Sequence, residues 1–230
     1  MSTETELPDH SAAYRGVRER IIELVRAAPR EQQLMIAPAT PEWRVHDVVA
    51  HLAGATADVL AGRLDGVGSD PWTAVQVEDR RDVPTDAVLD EWATNSVQID
   101  PMVPSFGPAS GQIVLDAVTH EHDIRDAFDR PGARDTDAVH IASDWAAHRI
   151  AEARTTAGHG AVRFETNLWT GTLGEGEPTA AVRVDAFELL RGSTGRRSMA
   201  QITSWEWSGD AHPELVVLAI FQPRAEDFTG

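Results

Sequence analysis

Between residues 12 and 128 the apolar positions recur with a helical period. Val17, Ile21, Leu24 and Val25 stand three and four apart among arginines and glutamates, which predicts a helix over 12–28. Thr40 followed by Pro41 reads as an N-cap with proline at the first helical position. It opens a helix running through Trp43, Val45, Val48, Val49 and Leu52 to about Leu64. Gly66, Gly68, Ser69, Asp70 and Pro71 break the chain there. Val88, Leu89, Trp92 and Val97 predict a helix over 84–99, and Pro101, Pro104, Gly107 and Pro108 predict an irregular loop after it. Helices are expected again over 110–128, ended by Pro131-Gly132, and over 136–155. Beyond Ala157-Gly158-His159-Gly160 the period drops to two: 161–166, 180–185 and 202–207 alternate as strands do. A short helix is expected at 187–191 and another over 213–221. The expected fold class is α with a smaller α+β domain: a helical bundle over 1–157, then a small α+β domain over 158–230.

Composition narrows the chemistry. The chain has 230 residues, a formal net charge of −17 and no cysteine, and all 20 of its basic residues are arginine. The acidic excess argues against nucleic acid, which a protein binds through a basic face, and against an anionic membrane surface. No apolar run approaches the roughly 18 residues that span a bilayer. The first ten residues are polar and acidic rather than leader-like, so a cytoplasmic location is expected. Without cysteine or lysine there is no thiolate nucleophile, disulfide, Cys-ligated metal or lysine Schiff base. A metal site must use nitrogen and oxygen ligands, and a reactive thiol must arrive with a substrate.

Most of the nine histidines read as ordinary. His10 falls in the N-terminal tail; His140, His159 and His212 stand beside boundaries or turns; His46 and His148 read as plain helix residues. The run Asp116-Ala117-Val118-Thr119-His120-Glu121-His122-Asp123 is denser. Asp116 and His120, four apart, share one helix face, a spacing at which two side chains can hold one ion, whereas His122 points away from His120. His51 sits mid-helix among small and apolar residues, where an imidazole needs a buried partner. These three donors together would leave a coordination position open, as a catalytic divalent ion requires. Trp43, Trp92 and Trp145 read as core.

The segment from Trp43-Arg44-Val45-His46-Asp47 to His51-Leu52-Ala53-Gly54 resembles the first ligand helix of the mycothiol-dependent maleylpyruvate isomerase family, a branch of the DinB-like metalloenzymes. Asp116 to Arg125 resembles the second ligand helix. Phe187-Glu188-Leu189-Leu190-Arg191 and Gly195-Arg196-Arg197-Ser198 resemble the family's small C-terminal domain. The resemblance implies a DinB-like four-helix bundle carrying a divalent metal, zinc foremost, on His51, Asp116 and His120. It further implies a small thiol cofactor, the mycothiol of actinobacteria, activated at that metal to attack a small electrophilic substrate, giving isomerisation or S-transfer. Arginine forks suit substrate or cofactor carboxylates, which makes Arg191, Arg196 and Arg197 candidates in the second domain and Arg125 a candidate beside the ligand helix. The family's pattern has glutamate where Asp116 stands, one methylene longer, so Asp123 and Asp47 enter as alternative carboxylates. Two other readings share the scaffold: a thiol-independent DinB-like metal hydrolase, and a non-catalytic binding protein with a degenerate metal site.

Overall fold

The computed structural model describes residues 8–230; residues 1–7 of the stretch read as lacking a leader lie outside them. The chain divides into two compact units, His10–Gly132 and Ala133–Thr229.

The first unit holds α1 (His10–Arg26), the single turn α2 (Arg30–Gln33), β1 (Ile36–Ala37), β2 (Thr40–Arg44), α3 (Val45–Ala61), α4 (Asp70–Asp79), α5 (Thr85–Ile99) and α6 (Ala109–Ala127). Four long helices close a ring, α1 packing on α5 and α6, and α3 packing on the same two. Their apolar stripes supply its buried residues: Val17, Ile21 and Val25 of α1, Val48, Val49 and Leu52 of α3, Val88, Leu89 and Trp92 of α5, Val114 and Val118 of α6. Trp92 donates its indole N–H to the Tyr14 hydroxyl at 3.1 Å, so even the largest aromatic carries no orphaned polar atom. Burial pushes the Tyr14 hydroxyl up to about 12, which keeps it protonated.

Four local expectations of this unit are corrected. Thr40 caps no helix: Thr40–Arg44 pairs with β1, and α3 begins at Val45. The start is set by Asp47, whose carboxylate accepts from the Arg44 backbone N–H at 2.9 Å and from the Arg44 guanidinium at 3.0 Å. Gly62, left-handed at φ 69°, ends the helix earlier than Leu64. Between the break at 66–71 and the helix expected from Pro84 a further helix forms: α4 begins at Asp70, with Ser69 as N-cap and proline in its first turn. Residues Asp100–Phe106 form a 3-10 segment rather than an irregular loop, since proline is tolerated where i→i+3 bonding is short and local.

The second unit holds α7 (Asp137–Thr156), β3 (Ala161–Glu165), β4 (Thr170–Leu173), β5 (Pro178–Arg183), α8 (Ala186–Ser193), α9 (Met199–Thr203) and β6 (Glu206–Gly209). The sheet order is β4-β3-β5-β6, with β3 and β5 parallel and the outer pairs antiparallel. The long helix α7, expected with the bundle, packs on α8 and β3. Its inner face contributes Ala147, Ile150 and Ala151 to a core with Phe164, Trp169, Val182 and Leu189. Residues 202–207, expected as a strand, divide between α9 and β6: Ser198 accepts from Gln201 N–H while the Gln201 amide accepts from Ser198 N–H, a capping box that starts a helix. Of the helix expected over 213–221 only a 3-10 turn, Pro213–Leu215, forms. Among the described residues no helix is long and apolar enough to cross a membrane.

Candidate metal centre

Alanines and Gly54 around His51 let α3 approach its neighbours closely, and the imidazole is buried there. From α6, Asp116 and His120 project one turn apart toward it. His51 Nε2 stands 3.3 Å from each Asp116 carboxylate oxygen, and His120 Nε2 stands 3.6 Å from Oδ1. Ligand atoms of a tetrahedral zinc, each about 2.0–2.1 Å from the ion, lie roughly 3.3 Å apart. Two imidazoles sharing such an ion have ring centroids about 5 Å apart, and those of His51 and His120 are separated by 5.2 Å. The donor set therefore fits one divalent ion, and aspartate is long enough to serve. The Asp116 side chain is 37% exposed beside two buried imidazoles, so one side of the trio is open.

Each imidazole is oriented from behind. His51 Nδ1 donates to Gln76 Oε1 at 2.8 Å, and His120 Nδ1 donates to Asp123 Oδ2 at 3.0 Å. With Nδ1 used as donor, the Nε2 lone pair of both rings faces Asp116, the arrangement found behind metal-bound histidines. Burial opposes a charge on His51, but the Asp116 carboxylate and the acceptor on Gln76 outweigh it and hold the pKa above the ordinary imidazole value. The negative potential that favours a proton there also favours a cation.

Asp123 thus stands behind His120 rather than among the ligands, and Asp47 is held by Arg44. Arg125 lies on the side of α6 away from Asp116, where it shares the fully buried Glu121 with Arg20 and donates to the Arg130 carbonyl. Arg191, Arg196 and Arg197 belong to the second unit and are buried. Arg197 pairs with Glu188 through two hydrogen bonds of 2.6 and 2.7 Å, Arg196 donates to the Thr194 carbonyl, and Arg191 lies over the Phe187 ring.

Sequence reasoning missed four residues of the centre. Trp43, expected as core, sets its ring 5.4 Å from His51 and 5.7 Å from His120, and Trp72 meets His51 edge-on at 6.4 Å. Gln76 and Asp58 form the support behind His51. Ser69-Asp70-Pro71 held the signal for α4, since Ser then Pro is also a helix start.

A second donor group, His159, Asp210 and His212, occurs in the second unit. Its two imidazoles stack with centroids 3.6 Å apart, too close for both to bind one ion, and it reads instead as a clamp. His212 bonds Glu214 and Asp210, which hold its pKa above the ordinary value. Burial works against charge on Asp210, but His212 and His159 hold its pKa down; hydrogen bonding to His212 does the same for Glu214. The raised histidine predicts that the clamp weakens as pH rises through its folded pKa; the depressed carboxylates predict loss as pH falls through theirs. In an NMR titration the His212 ring should titrate above about 6.5, and amides over 209–214 should exchange faster in His212→Ala. Titration of that ring at or below the ordinary value removes the clamp.

No protein-family model matches the chain, and no curated protein matches it. Two solved structures share its fold, one of the mycothiol-dependent maleylpyruvate isomerase and one of a histidine-to-alanine mutant of that enzyme. Each is 14% identical and covers 85% of this chain and 92% of its own, with TM-scores of 0.52 and 0.55.

Proposed function

We propose that this chain, built on the fold of the mycothiol-dependent maleylpyruvate isomerase, is a zinc-dependent enzyme that uses mycothiol to isomerise, or transfer sulfur to, a small electrophilic substrate. The observation that carries the reading is the convergence of His51 Nε2, His120 Nε2 and the Asp116 carboxylate at the spacing of one ion's ligands, with both imidazoles oriented by acceptors on Nδ1. His51, Asp116 and His120 would hold the divalent ion, whose Lewis acidity would lower the pKa of a cofactor thiol toward neutral pH. His51 and His120 supply neutral donors from two helices, which fixes the position of the reacting centre. Asp116 supplies the negative charge and, being partly exposed, borders the face where cofactor and substrate enter. Trp43 covers both imidazoles and limits water on that side. The absence of cysteine supports an external thiol, since the chain has none to offer. Arg125 and Arg197 carry no substrate role in this reading, because Glu121 and Glu188 occupy their forks.

The test is calorimetry on zinc-loaded protein. Mycothiol should bind with proton release, and a screen of activated double-bond substrates should show turnover only when zinc and mycothiol are both present. Zinc uptake without mycothiol binding, together with hydrolysis of esters or amides, would replace this reading by the thiol-independent hydrolase. Failure to take up zinc leaves the binding-protein reading.

A further inference from the structure

We infer that Gln76 is a positioning residue for the metal centre: it dictates which nitrogen of His51 is offered, and Gly54 is the opening in α3 that admits it. The inference rests on the proposed metal reading, but its geometry stands separately. An amide side chain presents a donor at one end and an acceptor at the other, and which end faces which neighbour is settled by the neighbour of fixed character. Here that neighbour is Asp58, whose carboxylate accepts from Gln76 Nε2 at 2.7 Å and from Arg63 Nε at 2.8 Å. With its NH₂ committed to Asp58, Gln76 can turn only Oε1 toward His51, 2.8 Å from Nδ1. His51 must then carry its proton on Nδ1 and present Nε2 to Asp116. Gln76 is 1% exposed, so water cannot substitute for either bond.

The backbone is arranged for this contact. A Cβ on Gly54 would stand 2.5 Å from Gln76 Cβ and 2.7 Å from its Cγ. Glycine is unfavourable in a helix interior, and this close approach of α4 explains its presence there. Gln76 is also the only described residue of α4 that is buried, so the short helix presents one polar side chain inward rather than an apolar stripe.

The test uses three variants and two readouts. Zinc affinity is measured by competition with a chelating dye. The His51 tautomer is read from ¹⁵N chemical shifts of metal-free protein in alkaline buffer, where imidazoles are neutral. Gln76→Met, nearly isosteric, should weaken zinc binding about 10- to 100-fold and shift His51 away from the Nδ1–H tautomer. Gly54→Ala should act in the same direction by displacing Gln76. The double variant Gln76→Glu with Asp58→Asn exchanges donor and acceptor in the outer hydrogen bond while keeping an acceptor for His51 Nδ1, and it should restore affinity to within a few-fold. Unchanged affinity and tautomer in Gln76→Met overturn the inference. So does a double variant as weak as Gln76→Met, because an acceptor on His51 Nδ1 would then not be what Gln76 contributes. If wild-type protein takes up no zinc, the functional reading fails while the tautomer readout still decides the role of Gln76.

Discussion

His51→Ala and His120→Ala should each lose stoichiometric zinc on dialysis, with affinity lowered by more than the roughly 10- to 100-fold that follows loss of a supporting hydrogen bond. Each removes one of two neutral nitrogen donors, leaving a single imidazole and one carboxylate, an inadequate set for a tetrahedral ion. Mycothiol-dependent turnover should vanish with the metal. Both variants should stay folded, because alanine is the strongest helix former and each site opens beside a partly exposed Asp116. The control is His46→Ala. His46 lies on the same helix, but its Nε2 donates to the Arg80 carbonyl and its Nδ1 accepts from the Thr85 hydroxyl, each at 3.0 Å. That variant should keep its zinc and lose about 1–3 kcal/mol of stability through unsatisfied buried partners. Metal analysis and thermal melting read both quantities. A full equivalent of zinc retained by His51→Ala places the ion elsewhere and sinks the assignment.

The contrast between these two histidines shows what the sequence could and could not say. Both are helical, and both are buried. His51 stands out because small and apolar residues surround it and because Asp116 and His120 offer a second pair of donors at a spacing that helical geometry makes adjacent. The long helices were legible for the same reason, since Val17, Ile21 and Val25 or Val114 and Val118 repeat at the period of a buried face. The support behind His51 was not legible. α4 buries one polar residue and no apolar ones, so it has no hydrophobic period to detect. The start of α3 was misread because Thr40-Pro41 is a good local helix signal that loses to pairing between β1 and β2. The arginines of the second unit show another limit: their partners, such as Glu188 for Arg197, are set by packing and not by spacing.

The dense run around His120 separates into distinct tasks, and Glu121→Ala tests the separation. In the proposed centre His120 is a donor and Asp123 orients it, while Glu121 faces the other way. There its carboxylate, with no exposed surface, takes two hydrogen bonds from Arg20 at 2.7 and 2.8 Å and one from Arg125 at 3.0 Å. Removing it leaves two guanidinium groups in a partly buried site without their counter-charge. Loss of one partner from a buried ion pair costs about 3–5 kcal/mol. Arg20 retains 30% side-chain exposure and can reach water, which sets the expectation near the lower end, at about 3 kcal/mol. Zinc affinity measured well below the melting transition should change by less than the loss expected for Gln76→Met, because Glu121 lies on the opposite side of α6 from Asp116. If Glu121→Ala instead left stability intact and released the metal, Glu121 would belong to the centre, and the division of this helix into a metal face and an ion-pair face would be wrong.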